Sequence, residues 1–400
     1  MKFAHLSDVH LGGWREPKMR AVNQQSFDLA IDRCIAEKTD FLLIAGDLFN
    51  TSMPPVDCLK HAVQKFKELQ AASIPVYLIP GSHDFSPSGK TMLDVLEEAG
   101  LFKNVVRGSI ENGKLHLRFT VDPKTGVKIT GMLGKKGGLE KAYYEDLARE
   151  HLESEPGPKI FLFHSALQEV KPKGLEEMDA MSVSFLPKGF DYYAGGHVHV
   201  VDRTDIGAHR NIVYPGPVFP NNFAELEKLR NGSFVLYEEG AITHVPLEVR
   251  PTVSLIIDAE GKTPSEVEDV LRDTLKGTEM EGAIVTLRIG GMLRQGRPSD
   301  VNLNDAIQHA YDLGAYIVMK NTNALASKEF EQVSVAQHSI EDIEESLIRE
   351  HTGKNSPFAL EKERAVVRAL MAVLALEKDE GEKIADFEKR VASDAQQILL

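Results

Sequence analysis

Five short stretches of this chain place aspartate and histidine just where an apolar run has ended. They are Ser7-Asp8-Val9-His10, Gly46-Asp47-Leu48-Phe49, Gly81-Ser82-His83-Asp84, Phe163-His164-Ser165 and Gly195-Gly196-His197-Val198-His199. Carboxylate and imidazole without thiolate suit hard-to-borderline divalent cations, and favour Mn²⁺, Fe²⁺ or Zn²⁺ over Ca²⁺. More such side chains recur than one ion can use, so two ions sharing Asp47 is the economical arrangement. Two cations about 3.5–4 Å apart can clamp the attacking and leaving oxygens of an in-line displacement at phosphorus. A histidine beside a carboxylate, as in His83-Asp84, is suited to protonating the leaving alkoxide, with Asp84 orienting the ring. A lone Asp-x-His or His-x-His pair would carry little weight. Their register with successive strand ends is what matters.

Those strand ends are predicted from apolar runs at Lys2–Leu6, Asp40–Ala45, Pro75–Ile79, Lys159–Phe163 and Asp191–Ala194, with Asn211–Tyr214 following. Helical periodicity lies between the first three. Phe27, Ile31 and Ile35 mark one helix, and Leu59, Val63, Phe66 and Leu69 mark a second. The stretch KLHLRFTVDPKTGVKITGML reads as one hairpin turning at DPKTG. This pattern predicts an α/β layered fold, in which ligands bind beyond the carboxyl ends of the strands. Past Arg250-Pro251 the pattern starts afresh. TVSLIIDA, GAIVTLRI and YIVMK read as strands, with helices from Pro264 to Leu275 and over LNDAIQHAYDLGA. The expected organisation is therefore a first domain over 1–250, a small α/β domain over 251–325 and a helical tail over 339–400. In the tail, Val366, Val367, Leu370, Val373 and Leu374 share one helical face, and Ile384, Phe387 and Val391 the next.

Bulk properties bound the rest. At 400 residues the chain has room for two or three domains, and its net charge of -14 argues against coating nucleic acid by bulk electrostatics. A local basic groove is compatible with that charge. Cys34 and Cys58 lack metal-ligand spacing and fall in helical patterns, so they read as reduced core thiols. No apolar run approaches the ~20 residues of a bilayer span, and Asp8 and His10 interrupt the apolar N-terminus too early for a signal peptide. A cytoplasmic protein without a membrane partner is expected.

Taken in order, DVH, GDLF, GSHD, FHS and GHVH resemble the motifs of the calcineurin-like metallophosphoesterases. GDLFNTSMPP and YPGPVFP extend the likeness to the DNA double-strand-break repair nucleases of that superfamily, the meiotic-recombination-11 or SbcD type. The likeness covers roughly the first 250 residues by motif and the remainder by architecture alone. It implies a sheet sandwich flanked by helices, a small capping domain that contacts DNA, and a C-terminal helical tail. It also implies that Asp8, His10, Asp47 and His199 hold one ion, and that Asp47, Ser82, His164 and His197 hold the other. Mn²⁺ is the ion expected. The superfamily ordinarily has asparagine where Ser82 stands. A serine hydroxyl is shorter and a poorer donor to a cation, so either water fills the gap or the second ion binds more weakly. Alternatively Ser82 only completes a tight turn.

Candidate DNA contacts are Lys135 and Lys136 in GKKGG, Lys171 and Lys173 in KPKG, and Arg288, Arg294 and Arg297 in the second domain. Any of these reads equally well as a solvated surface charge. Trp14 reads as packing its loop more readily than as stacking on a base. The function implied is an exonuclease and endonuclease acting on duplex ends, hairpins or single strands. It would work as a homodimer, with an SMC-like, SbcC-type coiled-coil ATPase docked on the C-terminal helices. The alternatives are a phosphodiesterase or phosphatase for a small or protein substrate, and a metal-silent scaffold subunit.

Overall fold

The apolar runs of the first part of the chain are strands covered on both faces. In the computed structural model β1 (Lys2–Leu6), β2 (Phe41–Ala45), β3 (Val76–Ile79) and β4 (Lys103–Asn104) pair in parallel. Strand Gly232–Glu238 joins β1 antiparallel, and Ala241–Leu247 completes a six-stranded sheet. A second six-stranded sheet runs in the order Val201–Ile206, His209–Pro215, Tyr192–Gly196, Lys159–His164, Lys128–Met132 and Thr120–Val121. Residues 1–86, 91–171, 178–327, 348, 352–353, 358–376 and 384–399 are described. They fall into two compact units, Met1–Thr252 and Val253–Leu400.

Alternation along each strand divides the side chains between two layers. Phe3, Phe41, Leu43, Tyr77 and Ile79 meet Ile129, Ile160, Leu162, Tyr192 and Val213 of the second sheet in one apolar cluster. Ala4, Leu6, Leu42, Ile44 and Leu78 point the other way, under helices α1 (Pro17–Ala36) and α2 (Val56–Ala71). Phe27, Ile31 and Phe66 of those helices close that layer, with Cys34 and Cys58 as buried free thiols. Because both faces are covered, the strands read as continuous rather than alternating apolar runs. Each buried aromatic or aliphatic side chain contributes about 1.5–3 kcal/mol. The result is a rigid double sheet whose strand ends are fixed. The α/β fold expected from the strand-and-helix alternation is the one observed.

One element differs from its expectation. The stretch Lys114–Met132 is not a single hairpin. Lys114–Leu117 pairs with Gly108–Glu111, and only Thr120–Val121 turns back onto Lys128–Met132. The cause is a competing turn, for Asn112 and Gly113 take φ of 50° and 76°. Positive φ at both central residues is the geometry that Asn-Gly favours in a two-residue hairpin.

In the second unit, strands Thr252–Asp258, Ile284–Leu293 and Ile317–Ser327 form a three-stranded sheet. Helix Pro264–Lys276 begins at a Thr263–Glu266 capping box, and Asn304–Asp312 follows the central strand. Val267, Leu271, Val285, Leu287 and Leu325 fill its core. Helices Leu360–Leu374 and Ile384–Leu399 lie against one another. Val366 is nearly buried there, whereas Leu374 remains 70% exposed. Residues 339–347, 349–351, 354–357, 377–383 and 400 of the expected tail lie outside the described residues.

Candidate metal centre

Three of the motifs, Ser7–His10, Gly46–Phe49 and Gly195–His199, leave their strands and turn back at once, and the backbone shows how. Asp8, His10, Asp47, His197 and His199 have φ of 53°, 47°, 54°, 95° and 49°. A non-glycine residue in this left-handed region costs on the order of 1–3 kcal/mol and persists only where its surroundings over-determine it. Here the loops lock one another: Asp8 N–H donates to Gly46 O at 3.1 Å and His10 N–H to Asp47 O at 2.9 Å. Gly81 is required by the closeness of these loops, since a Cβ there would stand 2.2 Å from Asp47 Oδ1.

These turns aim the donor atoms at one another. His10 Nε2 lies 3.0 Å from His199 Nε2, and His199 Nε2 lies 3.5 Å from Asp8 Oδ1. A single oxygen, Asp47 Oδ2, stands 3.2 Å from His164 Nε2 and 3.6 Å from His10 Nε2. Asp8, His10 and His199 form one group able to hold a cation, and Asp8, Asp47 and His164 another. His10, Asp47 and His83 form a third. Ligands about 2.1 Å from an ion at roughly 90–109° to one another are about 3.0–3.4 Å apart, so these spacings fit a shared divalent cation. His164 Nε2 is buried without a hydrogen-bond partner, as a ligand nitrogen would be. The donor set fits.

The surroundings fix which nitrogen faces the crevice. His164 Nδ1–H donates to Ala45 O at 2.8 Å and His199 Nδ1–H to Glu225 Oε1 at 3.0 Å, leaving both Nε2 atoms to the centre. Asp8 accepts from Ser7 Oγ at 2.6 Å and from His197 N–H at 3.0 Å. Asp47 Oδ1 accepts from His83 N–H at 2.8 Å. Burial opposes ionisation of Asp8 and Asp47, yet the facing histidines hold both well below the usual carboxylate range. Burial likewise opposes the charged form of His164 and His199. For His164 the Asp47 carboxylate outweighs it and raises the ring to about 9. For His199, Asp8 and Glu225 raise it to about 10. Burial wins at His10 and His197, which both fall to about 4.

Not every expected residue takes its expected place. Asp84 does not orient His83. Its carboxylate accepts from the N–H groups of Leu48, Phe49 and Gly81 at 3.1, 3.0 and 3.1 Å, which clamps the two motif loops together. Burial and the neighbouring Asp47 raise it to about 6. The His83 ring is instead turned by Asn50, whose carbonyl accepts from Nδ1–H at 2.8 Å. His197 stands outside all three groups, with its ring edge-on to His164 at 5.1 Å. Ser82 is 4% exposed and its Oγ reaches Asp47 Oδ2 at 3.4 Å, which brings it to the crevice. Trp14 packs its loop, donating from Nε1 to Pro220 O at 3.0 Å.

Other histidines have structural partners: His5 with Tyr192 Oη at 3.0 Å, His61 with Asp28 at 2.7 Å and His151 with Leu117 O at 2.8 Å. Among the candidate cations, Lys136 is exposed in the turn Lys136–Gly138, and Lys135 Nζ donates to Tyr143 Oη at 2.6 Å. Arg288 is half-buried in its strand, whereas Arg294 pairs with Glu266 at 3.3 Å and Arg297 with Asp300 at 3.0 Å. Lys171 is half-buried, and Lys173 lies outside the described residues. Glu225 and Asn50 are the participants that sequence reasoning missed. Each acts across 26 or 33 positions of chain, and neither sits in a recognisable motif.

Comparison with known proteins agrees with this chemistry. The model of the calcineurin-like phosphoesterase family matches residues 1–201. The DNA double-strand break repair protein Mre11 of Archaeoglobus fulgidus is 27% identical over 310 residues, which are 71% of this chain and 67% of that protein. The protein of the same name from Methanococcus maripaludis is 32% identical over 208 residues, covering 50% of this chain and 52% of the relative. That from Methanopyrus kandleri is 29% identical over 239 residues, covering 58% and 51%. The match spans about half the length of the latter two relatives.

Two outcomes are expected. Glu225→Ala frees the His199 ring and should weaken divalent-cation binding about 10–100-fold, measured by calorimetric titration with Mn²⁺. Unchanged affinity would remove Glu225 from the centre. His164 and His199 hold protons at pH 7, because their values are raised above it, and a cation ligated there must displace them. Binding should therefore release protons and strengthen with rising pH until about 9 to 10, where the rings lose their protons unaided. Titration at pH 7 in buffers of different ionisation enthalpy reads this directly. Zero proton release would contradict it.

Proposed function

The chain belongs to the calcineurin-like phosphoesterase family, a family of metal-dependent phosphoester hydrolases, and from that premise we propose that its substrate is DNA. In this reading it is an exonuclease and endonuclease that processes DNA ends in double-strand-break repair. The observation that carries the hydrolytic part is Asp47 Oδ2, one oxygen within 3.2–3.6 Å of imidazoles from two separate donor groups. The DNA part is supported by relatives named as DNA double-strand break repair protein Mre11.

Two divalent cations, Mn²⁺ on the family resemblance and from a donor set that equally suits Fe²⁺ or Zn²⁺, would be held with Asp47 contributing to both sites. Asp8, His10 and His199 would complete one site; His164, Ser82 and His197 would complete the other, His197 after a small rotation toward the crevice. Cations bound there would supply Lewis-acid polarisation of the phosphate and a nucleophile near neutral pH. The chain's own contribution is placement. Asn50 O holds His83 Nδ1–H, so its Nε2 is the nitrogen that delivers a proton to the leaving oxygen. Asp84, tied to three backbone N–H groups, keeps the loops of Asp47 and His83 at fixed separation. Lys135 and Lys136 would meet the DNA backbone beside the centre, and Arg288, Arg294 and Arg297 would do so from the second unit. Phosphate would have to draw Arg294 from Glu266 and Arg297 from Asp300.

The remaining assignments follow the same reading. Residues 251–325 serve as the DNA-contacting cap. Residues 339–400 dock an SMC-like, SbcC-type coiled-coil ATPase by laying an amphipathic face against it, an ordinary recognition mode. The exposed Leu374, Met371 and Leu399 of the tail support docking over burial within this chain. The working form is a cytoplasmic homodimer. No helix among the described residues is long and apolar enough to cross a membrane.

Three experiments test this. Asp47→Ala should lose both ions by equilibrium dialysis, whereas His83→Gln should keep the ions and lose cleavage of duplex and single-stranded DNA by at least about 100-fold. Wild-type stoichiometry in the first, or wild-type rate in the second, contradicts the roles assigned. Ser82→Asn puts a longer amide oxygen into the crevice and should lower the Mn²⁺ concentration needed for half-maximal activity. An unchanged or raised requirement means that the pocket is shaped around serine. Deleting residues 340–400 should abolish capture of the ATPase while short-duplex cleavage continues. If the shortened chain aggregates, the tail belongs to its own core and the docking role falls.

A further inference from the structure

The loop that leaves strand Lys128–Met132 is mounted on the candidate metal centre by residues outside every motif. Gly134 N–H donates to Pro80 O at 2.9 Å, and a Cβ at Gly134 would stand 2.5 Å from His164 Cδ2. Behind it Glu140, 6% exposed, accepts from Ser165 Oγ at 2.8 Å and from Lys135 N–H at 3.1 Å. Ser165 directly follows His164, so the loop keeps its position relative to that ring.

From this mount Lys135 reaches over two aromatic rings. Its Nζ lies 5.0 Å from the centroid of Phe85 and 4.3 Å from that of Tyr143, and it donates to Tyr143 Oη at 2.6 Å. Among the described residues no carboxylate pairs with this ammonium. Phe85 follows Ser82-His83-Asp84 without a gap, so the rings sit next to the loop that carries the proton donor. Core packing does not account for them. Phe161, Phe163, Tyr192 and Tyr193 are all at most 1% exposed, whereas Tyr143 is 37% exposed and Phe85 only half-buried.

We propose that Phe85, Lys135 and Tyr143 form a platform that selects an unpaired nucleotide at the scissile bond. The base stacks on the rings, and the Lys135 ammonium moves from the Tyr143 hydroxyl to the phosphate of the same nucleotide. The exchange is favourable in kind, because an ammonium–phosphate hydrogen bond is stronger than one to a neutral hydroxyl. Stacking on an aromatic ring accepts any base, and within a duplex both faces of a base are already covered by its stacked neighbours. The platform therefore selects single-stranded or frayed ends over intact duplex without reading sequence. This inference rests on the nuclease reading above.

The test is cleavage, with Mn²⁺, of single-stranded oligonucleotides that are either intact or carry one abasic residue beside the scissile phosphodiester. Removing the base should slow the wild-type protein about tenfold or more, the scale of one base–aromatic stack. Tyr143→Leu and, independently, Phe85→Leu should bring the intact-to-abasic ratio close to one. Tyr143→Phe, which keeps the ring, should retain the wild-type ratio. A wild-type ratio near one, or an unchanged ratio in both leucine variants, overturns the platform while leaving the nuclease reading intact. If the wild-type protein hydrolyses a chromogenic phosphodiester but no oligonucleotide at all, the nuclease reading fails and the platform with it.

Discussion

Two carboxylates, Asp8 and Asp47, are buried to 1% and 2% exposure in one crevice, and much of the first unit is arranged around keeping them charged. Removing an isolated carboxylate from water costs several kcal/mol, and a second one beside it adds repulsion. The chain offsets this in layers. The N–H groups of His83 and His197 and the Ser7 hydroxyl meet the oxygens directly. Beyond them His164 and His199 are held in protonatable positions by Ala45 O and Glu225. The same low-dielectric surroundings that make an unpaired anion costly strengthen its attraction to a cation. The crevice thus favours a divalent ion for the reason that it disfavours being left without positive charge.

Holding this arrangement requires backbone strain, and the fold supplies the restraint. Five ligand-type residues lie in left-handed conformation immediately past strand ends. A parallel strand carries its chain away from the crevice edge, and an abrupt reversal is what returns the next side chain to it. Loops free to relax would do so. These are held by the Asp8–Gly46 and His10–Asp47 backbone hydrogen bonds and by the Asp84 clamp on Leu48, Phe49 and Gly81. The double sheet beneath is packed with Phe3, Phe41, Tyr77 and Tyr192, which leaves the strand ends no room to shift. Asp84 thereby acquires a structural purpose where its place beside His83 had suggested a chemical one.

The legible part of this molecule is what sequence order carries. Apolar runs ending in Asp and His gave the α/β class and the residues lining the crevice, because strand period and ligand chemistry are both written locally. The partners were not legible. Glu225 reaches His199 from 26 residues further along the chain, and Asn50 turns His83 through a main-chain carbonyl that any residue would possess. Adjacency misled in one direction: Asp84 follows His83, but the turn sends the two side chains to different partners. The Lys114–Met132 hairpin failed for the opposite reason, since the Asn112-Gly113 turn just upstream claimed Lys114–Leu117 for another strand.

Charge decides where selectivity resides. With a net charge of -14 the chain as a whole repels a polyanion. The arginines that looked available in the second unit are partly matched by their own carboxylates, Arg294 by Glu266 and Arg297 by Asp300. Each such exposed pair is worth only about 0–1 kcal/mol, so phosphate can compete for it, but the gain is correspondingly small. Among the described residues, these paired arginines therefore add little long-range attraction for a polyanion. What the described residues offer is short-ranged: an Asp and His cluster able to hold divalent cations, and an ammonium resting on aromatic rings. Such a surface gains little from a polyanion at a distance and much from a phosphate brought into the crevice. For the DNA substrate proposed above, recognition would then rest on the local geometry of a strand end rather than on the bulk charge of the polymer.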